Sequence, residues 1–221
     1  VAEVCIEGAL ELAKRQIERQ AKAAGAWEFL VVGMGKLASR ELSYGSDLDV
    51  VFFFSSGGGE EELVAQEYCV RLAQKLIWAL STRTGEGTCY EMDTRLRPSG
   101  RQGMLVSSLE SFVQYHERSA QVWERQALLR ARAVAGNPAL SKRFEETRGK
   151  ILSRPAPKDL AGEVDRLRAR MEKELARETS VRHDFKTGRG GLVDVESAVQ
   201  YLQLLHGAAH AELLAAAPIA A

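Results

Sequence analysis

Cysteine is scarce in this sequence, and the three cysteines lie far apart at Cys5, Cys69 and Cys89. They form no CxxC pair and have no histidine-rich partner, so neither a disulfide framework nor a zinc site is expected. Free thiols in a reducing compartment are the simpler interpretation, which predicts a cytoplasmic protein. No apolar run approaches the length of a membrane span, and the first twenty residues alternate charged and apolar side chains, unlike a signal peptide. No membrane association is therefore expected.

An excess of charge of either sign is also absent. Lys+Arg and Asp+Glu number 30 each in the 221 residues, giving a net charge of zero. No overall field therefore favours nucleic acid, and no basic stripe with interleaved aromatic residues appears. Hydrophobic residues make up 45% of the chain and charged residues 27%, which is typical of a globular protein with a sizeable core. The abrupt first and last residues suggest a piece of a longer protein.

Hydrophobic periodicity predicts a small α/β unit followed by a helical one. Strands are predicted at residues 27–32, 48–54, 89–96 and 105–106. Helices are predicted at residues 2–23, 36–42, 60–84, 108–116, 122–132, 138–152 and 159–179. A final amphipathic helix after residue 191 carries Leu192, Val195, Val199, Leu202 and Leu205 on one face. The proline-rich segment 153–159 is the best candidate boundary, which divides the chain into 1–152 and 153–221.

Two glycine motifs after the first strand were considered as nucleotide sites. Gly33-x-Gly35-x-x-Ala38 approaches the dinucleotide-binding fingerprint, but that fold requires a full helix next and its acid at the far end of the second strand. A P-loop fails because Leu37 stands where Ser or Thr should bind magnesium. What remains is a tight turn between predicted strand and helix, with Lys36 either facing a phosphate or lying on the surface.

A pair of carboxylates, Asp47 and Asp49, stands at the start of the apolar second strand, after the turn residues Gly45 and Ser46. Alternate residues of a strand share a face, and two residues span roughly 7 Å. Two divalent cations about 4 Å apart fit such a pair. If the strand at 89–96 pairs beside it, Asp93 joins the same site. The alternative is that the aspartates only form and cap the turn.

Four long blocks of sequence carry a family resemblance. They are GMGKLASRELSYGSDLDVVF, YEMDTRLRPSGRQGMLVSS, WERQALLRARAVAGNP and DFKTGRGGLVDVESAVQYL, and they extend from about Gly33 to His206. In this order they resemble the bifunctional glutamine synthetase adenylyltransferase/deadenylylase family, whose nucleotidyltransferase fold is shared with DNA polymerase β. The forms YGSDLD and RLRPSG are more similar to the C-terminal, adenylylating unit of that family. Ala38-Ser39 replaces the usual Gly-Gly, and Ser197 replaces a usual Phe.

The resemblance implies an α+β fold, in which a small mixed β-sheet nucleotidyltransferase core with flanking helices precedes a helical bundle region. It implies transfer of AMP from ATP to a tyrosine hydroxyl of glutamine synthetase, with release of pyrophosphate. Asp47, Asp49 and Asp93 would be the catalytic residues and the ligands of two Mg²⁺ ions, and Asp93 could accept the proton. A PII-type signal protein would act through the full-length enzyme.

The resemblance also suggests how the nucleotide would be held. The residues expected to bind it are Lys36, Gly45, Ser46, Arg95 and Arg97. The two later arginines would clamp phosphate oxygens, or else form ion pairs with Glu41, Glu91 or Asp93 that only organise the site. Arg130 and Arg132 are expected on a helix, where they would brace the sheet.

Two other functions stay open from the sequence. The first is the reverse, phosphorolytic unit of the same enzyme, which would release ADP from modified glutamine synthetase. The second is a non-catalytic module that senses nucleotide or docks a regulatory protein. Three correctly phased acids favour catalysis, because a binding module has no need of three metal ligands.

Overall fold

A computed structural model describes residues 1–20, 27–56, 61–176, 178–179, 181 and 183–215. The helices are α1 (Ala2–Gln20), α2 (Gly35–Ala38), α3 (Glu61–Ser81), α4 (Leu109–Arg118), α5 (Val122–Leu129), α6 (Pro138–Leu152), α7 (Leu160–Leu175) and α8 (Leu192–His206). The strands are β1 (Glu28–Met34), β2 (Leu48–Ser55), β3 (Met92–Asp93), β4 (Val106–Ser108) and β5 (Ala131–Gly136). Short 3-10 turns cover Gly100–Gln102 and Ala211–Leu214. The expected α+β class is confirmed.

The described residues form two compact units. The sheet unit comprises Val1–Ala120 and Arg130–Arg148, and the helical unit comprises Gln121–Leu129 and Gly149–Ala215. The sheet unit therefore contains all the strands, and the helical unit contains α5, α7 and α8. The chain passes from one unit to the other within α6. The division at residue 153 that the proline-rich segment suggests stays a prediction.

The sheet is small and mixed, as expected, and the described residues give it five strands, in the order β3-β2-β1-β5 with β4 also paired to β2. β1 is antiparallel to both β2 and β5. β3 and β4 are each parallel to β2, and they follow one another along the same edge of that strand. β3 therefore pairs with the first residues of β2, at the end of that strand where the acidic pair lies.

Both faces of β2 are covered, which explains why its sequence is a continuous apolar run. Phe52 and Phe54 belong to a buried cluster with the apolar faces of α1 and α3, and Phe52 stacks on Phe29 with ring centroids 5.7 Å apart. On the opposite face, Phe53 contacts Phe112 and Phe144 at centroid distances of 4.9 and 5.5 Å. This packing fixes the strand from which the acidic pair projects.

The third strand is much shorter than predicted, because only Met92 and Asp93 of the segment 89–96 pair with β2. Before it, the Tyr90 amide donates to the carbonyl of Leu80 at the end of α3, over 3.0 Å. After it, the Arg95 amide donates to the Asp93 carboxylate over 2.9 Å. Backbone donors on both sides are used outside the sheet, so the ladder stops after two residues.

The helix predicted at 122–132 is wrong at its C-terminal end. α5 ends at Leu129, and Ala131–Gly136 forms β5 at the second edge of the sheet. The amide of Gly35 donates to the Arg130 carbonyl over 2.8 Å, which ties the start of this strand to the end of β1. Arg132 therefore lies on a strand and Arg130 on the turn before it, not on a helix.

The connection after β1 also differs from the prediction. Gly33 and Met34 belong to β1 instead of forming a turn, and the helix predicted at 36–42 is the single turn α2. Arg40 has a φ of 61°, in the left-handed region that no helix continues through. The helix therefore cannot extend to residue 42. The predicted end of the first helix, at residue 23, lies outside the described residues.

The final helix is present where it was predicted, at α8. The five apolar residues of its predicted face, however, are between 41% and 56% exposed, while Val193 and Leu204 are buried. The periodicity of the sequence identified the helix but not the side that the helical unit covers. Within the described ranges, no helix has both the length and the apolar character needed to cross a lipid bilayer.

Candidate active site

The acidic pair lies at the start of β2, with Asp49 within the strand and Asp47 just before it, on either side of Leu48. Leu48 is fully buried, whereas Asp49 is half-buried and Asp47 is exposed. The two carboxylates thus project away from the core while Leu48 and Val50 anchor the strand in it. This arrangement keeps the aspartates within reach of solvent, where ionised groups cost little.

β3 brings the third acid to the pair. Asp93 and Asp49 are partners in the parallel ladder, and the Leu48 amide donates to the Glu91 carbonyl over 2.8 Å. Neighbouring strands are about 4.8 Å apart, so these two aspartates lie side by side at the edge of the sheet. The predicted pairing of the third strand beside the acidic strand is confirmed. A short strand of two residues is enough to place Asp93.

Arg95 balances part of this negative charge. Its Nε donates to both Asp93 carboxylate oxygens, over 2.9 and 2.7 Å, and its Nη2 also contacts that carboxylate. These hydrogen bonds hold the pKa of Asp93 below its ordinary value. The pKa of Arg95 is raised, first by its hydrogen bonds to Asp93 and then by the charges of Asp49 and Asp47. Arg95 therefore lies within electrostatic reach of all three acids.

A cleft of about 450 Å³ opens beside this edge of the sheet. Its walls are Asp47, Glu91, Met92, Asp93, Thr94, Arg95, Arg97 and Arg101. Acids and arginines thus line one concave surface. A cleft of this character suits an anionic ligand that is accompanied by a cation, because each sign of charge on the walls then has a partner.

The donor set at this edge of the sheet fits a hard cation, because Asp47, Asp49 and Asp93 offer only carboxylate oxygens. It is not preformed as a closed ligand cluster. Across the part of the chain that the structure describes, no three acidic, histidine or cysteine side chains are grouped closely enough to hold a metal ion. Asp93 is engaged by Arg95, whose side chain is 61% exposed. Metal binding by Asp93 would require this pair to open.

Arg97 has a different environment from Arg95, although both line the cleft. Its Nη1 donates to the carbonyl and hydroxyl oxygens of Thr94, over 2.7 and 2.9 Å. Its Nε donates to the Gly103 carbonyl over 3.0 Å, and its Nη2 to the Arg101 carbonyl over 3.2 Å. Arg97 thus closes the loop 94–103 on itself. None of the three acids named from the sequence, Glu41, Glu91 and Asp93, is its partner in these bonds.

The Gly45-Ser46 turn leads directly into the acidic pair. Gly45 has a φ of 73°, a conformation that favours glycine. The Ser46 hydroxyl lies 2.9 Å from the Ser43 hydroxyl and accepts from the Ser43 amide over 3.2 Å. Gly45 borders a separate cavity of about 940 Å³ and is not one of the cleft's walls. The turn is therefore built as predicted, and its contact with a triphosphate stays a prediction.

Lys36 is exposed at the start of α2 and is not one of the cleft's walls. Its neighbour Gly35 is closer to the acids, since a Cβ added there would lie 3.4 Å from Asp49 Oδ2. Gly35 also has a φ of 52°, which disfavours any other residue. The glycine therefore lets the backbone approach the acidic pair closely, whereas a role for Lys36 in nucleotide binding stays a prediction.

Arg130 and Arg132 brace the connection between β1 and β2. Arg130 donates to the Ser39 hydroxyl over 2.8 Å and to Glu41 over 2.5 Å. Arg132 donates to the Ala38 carbonyl over 2.9 Å. The bracing role expected for these arginines is present, but from a turn and a strand. Ser39, one of the departures from the family pattern, supplies a hydroxyl to this network.

Sequence reasoning did not single out Arg101, which the structure places among the walls of the cleft. Its charge is one of those that lower the pKa of Asp93. The loop PSGRQG in which it lies has no periodicity, so pattern analysis offers no signal for its direction. The one hint in the sequence is that Arg101 follows the predicted site residues Asp93, Arg95 and Arg97 by four to eight positions.

Asp49 pairs with Asp93 in a parallel ladder, and Asp47 and Asp93 line the neighbouring cleft together with three arginines. On a small mixed sheet with flanking helices, this arrangement is that of a nucleotidyltransferase core. Comparison with known proteins narrows this class. The family model for glutamate-ammonia ligase adenylyltransferase matches residues 1–147. A second model, for GlnD PII-uridylyltransferase, matches residues 159–219.

Two curated relatives come from Xanthomonas campestris pv. campestris, strains B100 and ATCC 33913, and each is named bifunctional glutamine synthetase adenylyltransferase/adenylyl-removing enzyme. Each is 41% identical over 223 residues, which cover 98% of this chain. The chain belongs to the glutamate-ammonia ligase adenylyltransferase family. It spans 24% of the length of these two relatives.

Proposed function

We propose that this chain is a nucleotidyltransferase unit that transfers AMP from ATP to a tyrosine hydroxyl of glutamine synthetase and releases pyrophosphate. The ladder pairing of Asp49 with Asp93, together with Asp47 in the wall of the cleft that Asp93 also lines, is the observation that carries the proposal. Family membership supports the adenylyl transfer and the protein substrate, since the relatives are named for both. The acids and arginines that line the cleft also suit the reaction, because ATP is an anion that binds together with a cation.

The adenylylating direction is favoured over the reverse reaction by two short motifs. YGSDLD contains the turn and the acidic pair, and RLRPSG contains Arg95 and Arg97. Both resemble the adenylylating unit of the family more than the deadenylylating unit. The relatives are named for both activities, so the phosphorolytic unit is the second candidate.

In the proposed transfer, the tyrosine oxygen forms a bond to the α-phosphorus of ATP as the bond from that phosphorus to pyrophosphate breaks. The cleft's own groups position the two reactants and compensate charge. The phenol's proton leaves to water or to Asp93, which accepts it only after Arg95 has released its carboxylate. Gly45 and Ser46 would lie along the triphosphate.

Two Mg²⁺ ions are proposed at Asp47, Asp49 and Asp93, whose oxygens are the ligands that magnesium prefers. Bound there, the metal would neutralise the triphosphate and lower the pKa of the attacking phenol. In the protein without metal, the positive charge of Arg95 compensates part of the negative charge of these three acids. We further propose a cytoplasmic location, and regulation by a PII-type signal protein through the rest of the longer enzyme.

The test is transfer of labelled AMP from ATP to purified glutamine synthetase, with Asp47→Asn and Asp49→Asn variants of this chain. Each substitution keeps the shape of the side chain and removes a charge, so we expect the rate to fall by about 100-fold or more. Asp165→Asn is the matched control, because this exposed aspartate lies in the helical unit and outside the cleft. Its rate should equal that of the wild type.

Two further outcomes separate the alternatives. Release of ADP from adenylylated glutamine synthetase on addition of phosphate, without forward transfer, would select the deadenylylating unit. ATP binding with neither activity would select the sensing module. Full activity in the Asp47→Asn, Asp49→Asn double variant would overturn the proposed metal site.

A further inference from the structure

Three arginines line the cleft, and their side chains are engaged very differently. Arg95 is committed to the Asp93 carboxylate through both Nε and Nη2. Arg97 donates four hydrogen bonds to oxygens of its own loop, at Thr94, Gly103 and Arg101. Its guanidinium therefore has little capacity left for a ligand. Arg101 differs from both.

Among the described residues, the Arg101 guanidinium has no hydrogen bond or ion pair, and the residue is exposed. Only its backbone carbonyl is used, as the acceptor from Arg97 Nη2. Its positive charge nevertheless acts on Asp93 across the cleft. Of the three arginines, Arg101 is thus the one whose five N–H donors are available while its charge already faces the site.

The backbone around Arg101 is strongly constrained. Ser99 and Gly100 both have positive φ values, 60° and 57°, and a 3-10 turn follows directly. A Cβ on Gly103 would lie 1.9 Å from the Pro98 carbonyl oxygen, so the loop closes only with glycine at that position. Together with the bond from Arg97 to the Arg101 carbonyl, this holds the base of the Arg101 side chain at the wall of the cleft.

We propose that Arg101 binds phosphate oxygens of the nucleoside triphosphate, and that Arg97 is a positioning residue that holds the loop from which Arg101 reaches them. A guanidinium binds phosphate through two parallel hydrogen bonds, which suits a free and exposed arginine on a rigid loop. The ligand brings several negative charges to a cleft whose walls already include Asp47, Glu91 and Asp93, so a cation without an internal partner is needed. This proposal rests on the proposed function, because it assumes that the cleft takes ATP.

The test measures dissociation constants of magnesium-ATP and of inorganic tripolyphosphate by calorimetry, for the wild type, Arg101→Gln and Arg101→Lys. Loss of charge-assisted hydrogen bonds should weaken both ligands by about 10- to 100-fold in Arg101→Gln. Arg101→Lys should recover part of the loss, because it restores the charge without the two-pronged geometry. Arg15→Gln, an exposed arginine on α1, is the matched control and should bind both ligands like the wild type.

The same variants separate binding from positioning. Arg101→Gln should leave the Tm unchanged and raise the KM for ATP more than it lowers kcat. Arg97→Gln should lower the Tm, since it leaves the loop carbonyls at Thr94 and Gly103 without their donor. ATP and tripolyphosphate binding by Arg101→Gln as tight as that of the wild type would overturn the role of Arg101 alone. A wild-type chain that binds no ATP would overturn the proposed function along with it.

Discussion

Asp93 and Arg95 are two residues apart, and the chain turns immediately after β3 so that they face each other. The Arg95 side chain is 61% exposed and that of Asp93 is 14% exposed. The pair is therefore half in solvent, and its contribution to folding is modest because water screens the arginine. Its greater effect is on the site, where it keeps Asp93 ionised and occupies the oxygens that a metal would need.

Replacing Arg95 by glutamine is expected to raise the pKa of Asp93 from its lowered value, because the Arg95 hydrogen bonds and charge that oppose the effect of burial are then lost. Because the folded pKa lies below the unfolded one, the pair stabilises the fold above the unfolded pKa, and this contribution is lost as the pH falls through the folded pKa. The stability difference between wild type and Arg95→Gln should therefore vanish in acid. Carbon-detected NMR titration of the aspartate carboxyls measures the pKa directly.

Arg15→Gln is the control for this titration, since it removes the same charge from an exposed position on α1. The Asp93 curve of this variant should coincide with that of the wild type. An Asp93 curve that also stays unchanged in Arg95→Gln would mean that the pair does not form in solution.

Single residues could be assigned to the site from the sequence where strand periodicity fixes their direction. Asp47 and Asp49 flank a buried leucine, so their common side followed from alternation. Arg97 and Arg101 lie in an irregular loop, where direction depends on hydrogen bonds between residues 94 and 103. No local pattern encodes those bonds. Arg97, one of the two arginines considered for phosphate binding, is tied to its own loop, and Arg101 was not singled out from the sequence.

At the scale of elements, β2 was predictable because both of its faces are buried and its apolar run has the length of a strand. β5 was not. Its sequence, ARAVAG, follows α5 with no glycine or proline between them to mark the end of the helix. It also contains three alanines, which favour helix over strand. Pairing with β1 overrides that preference, because β1 would otherwise leave its outer backbone groups unpaired.

Gly136, at the end of β5, gives this pairing a test. Its φ is 119°, and a Cβ added there would lie 2.3 Å from the Phe29 carbonyl oxygen in β1. Gly136→Ala should therefore destabilise the protein by about 2 kcal/mol or more, through backbone strain and a displaced strand edge. Urea unfolding at constant protein concentration measures the change in the free energy of unfolding.

Gly149→Ala is the matched control for that substitution. Gly149 lies within α6, has no atom within 4 Å of an added Cβ, and has no positive φ. The same chemical change should stabilise the protein here, by about 0.5 to 1 kcal/mol, because alanine is the better helix former. Equal effects at the two glycines would contradict the assigned conformation of β5.

At the scale of the whole molecule, the sequence showed that a sheet-containing part precedes a helical part, but not that the helical unit includes an earlier helix. α5 lies between segments of the sheet unit in the sequence, yet it belongs to the helical unit and packs against α7 and α8. Contacts between residues so distant along the chain leave no local trace. Proline-rich segments mark places where regular structure stops, which need not be places where a compact unit begins.

Because α5 belongs to the helical unit, a fragment must include α5 in order to fold as that unit. Arg125 of α5 donates to the carbonyls of Leu152 and Pro155, over 3.0 and 3.1 Å, and Gln126 donates to Gln200 over 3.3 Å. Leu128 is buried as well. A fragment 153–221 lacks all of these contacts, so it should show low helicity by far-UV circular dichroism and no cooperative thermal transition.

A fragment 121–221 keeps α5 and should be more helical per residue, with a cooperative transition. An Arg125→Ala, Leu128→Ala variant of this longer fragment has the same length but lacks these contacts of α5. Its Tm should be lower than that of the unsubstituted fragment 121–221. Removing a buried leucine side chain alone costs about 2 to 5 kcal/mol, which is a large share of the stability of a small helical unit. Equal helicity and equal melting of 121–221 and 153–221 would instead support a boundary at residue 153, with α5 as an accessory to a unit that folds without it.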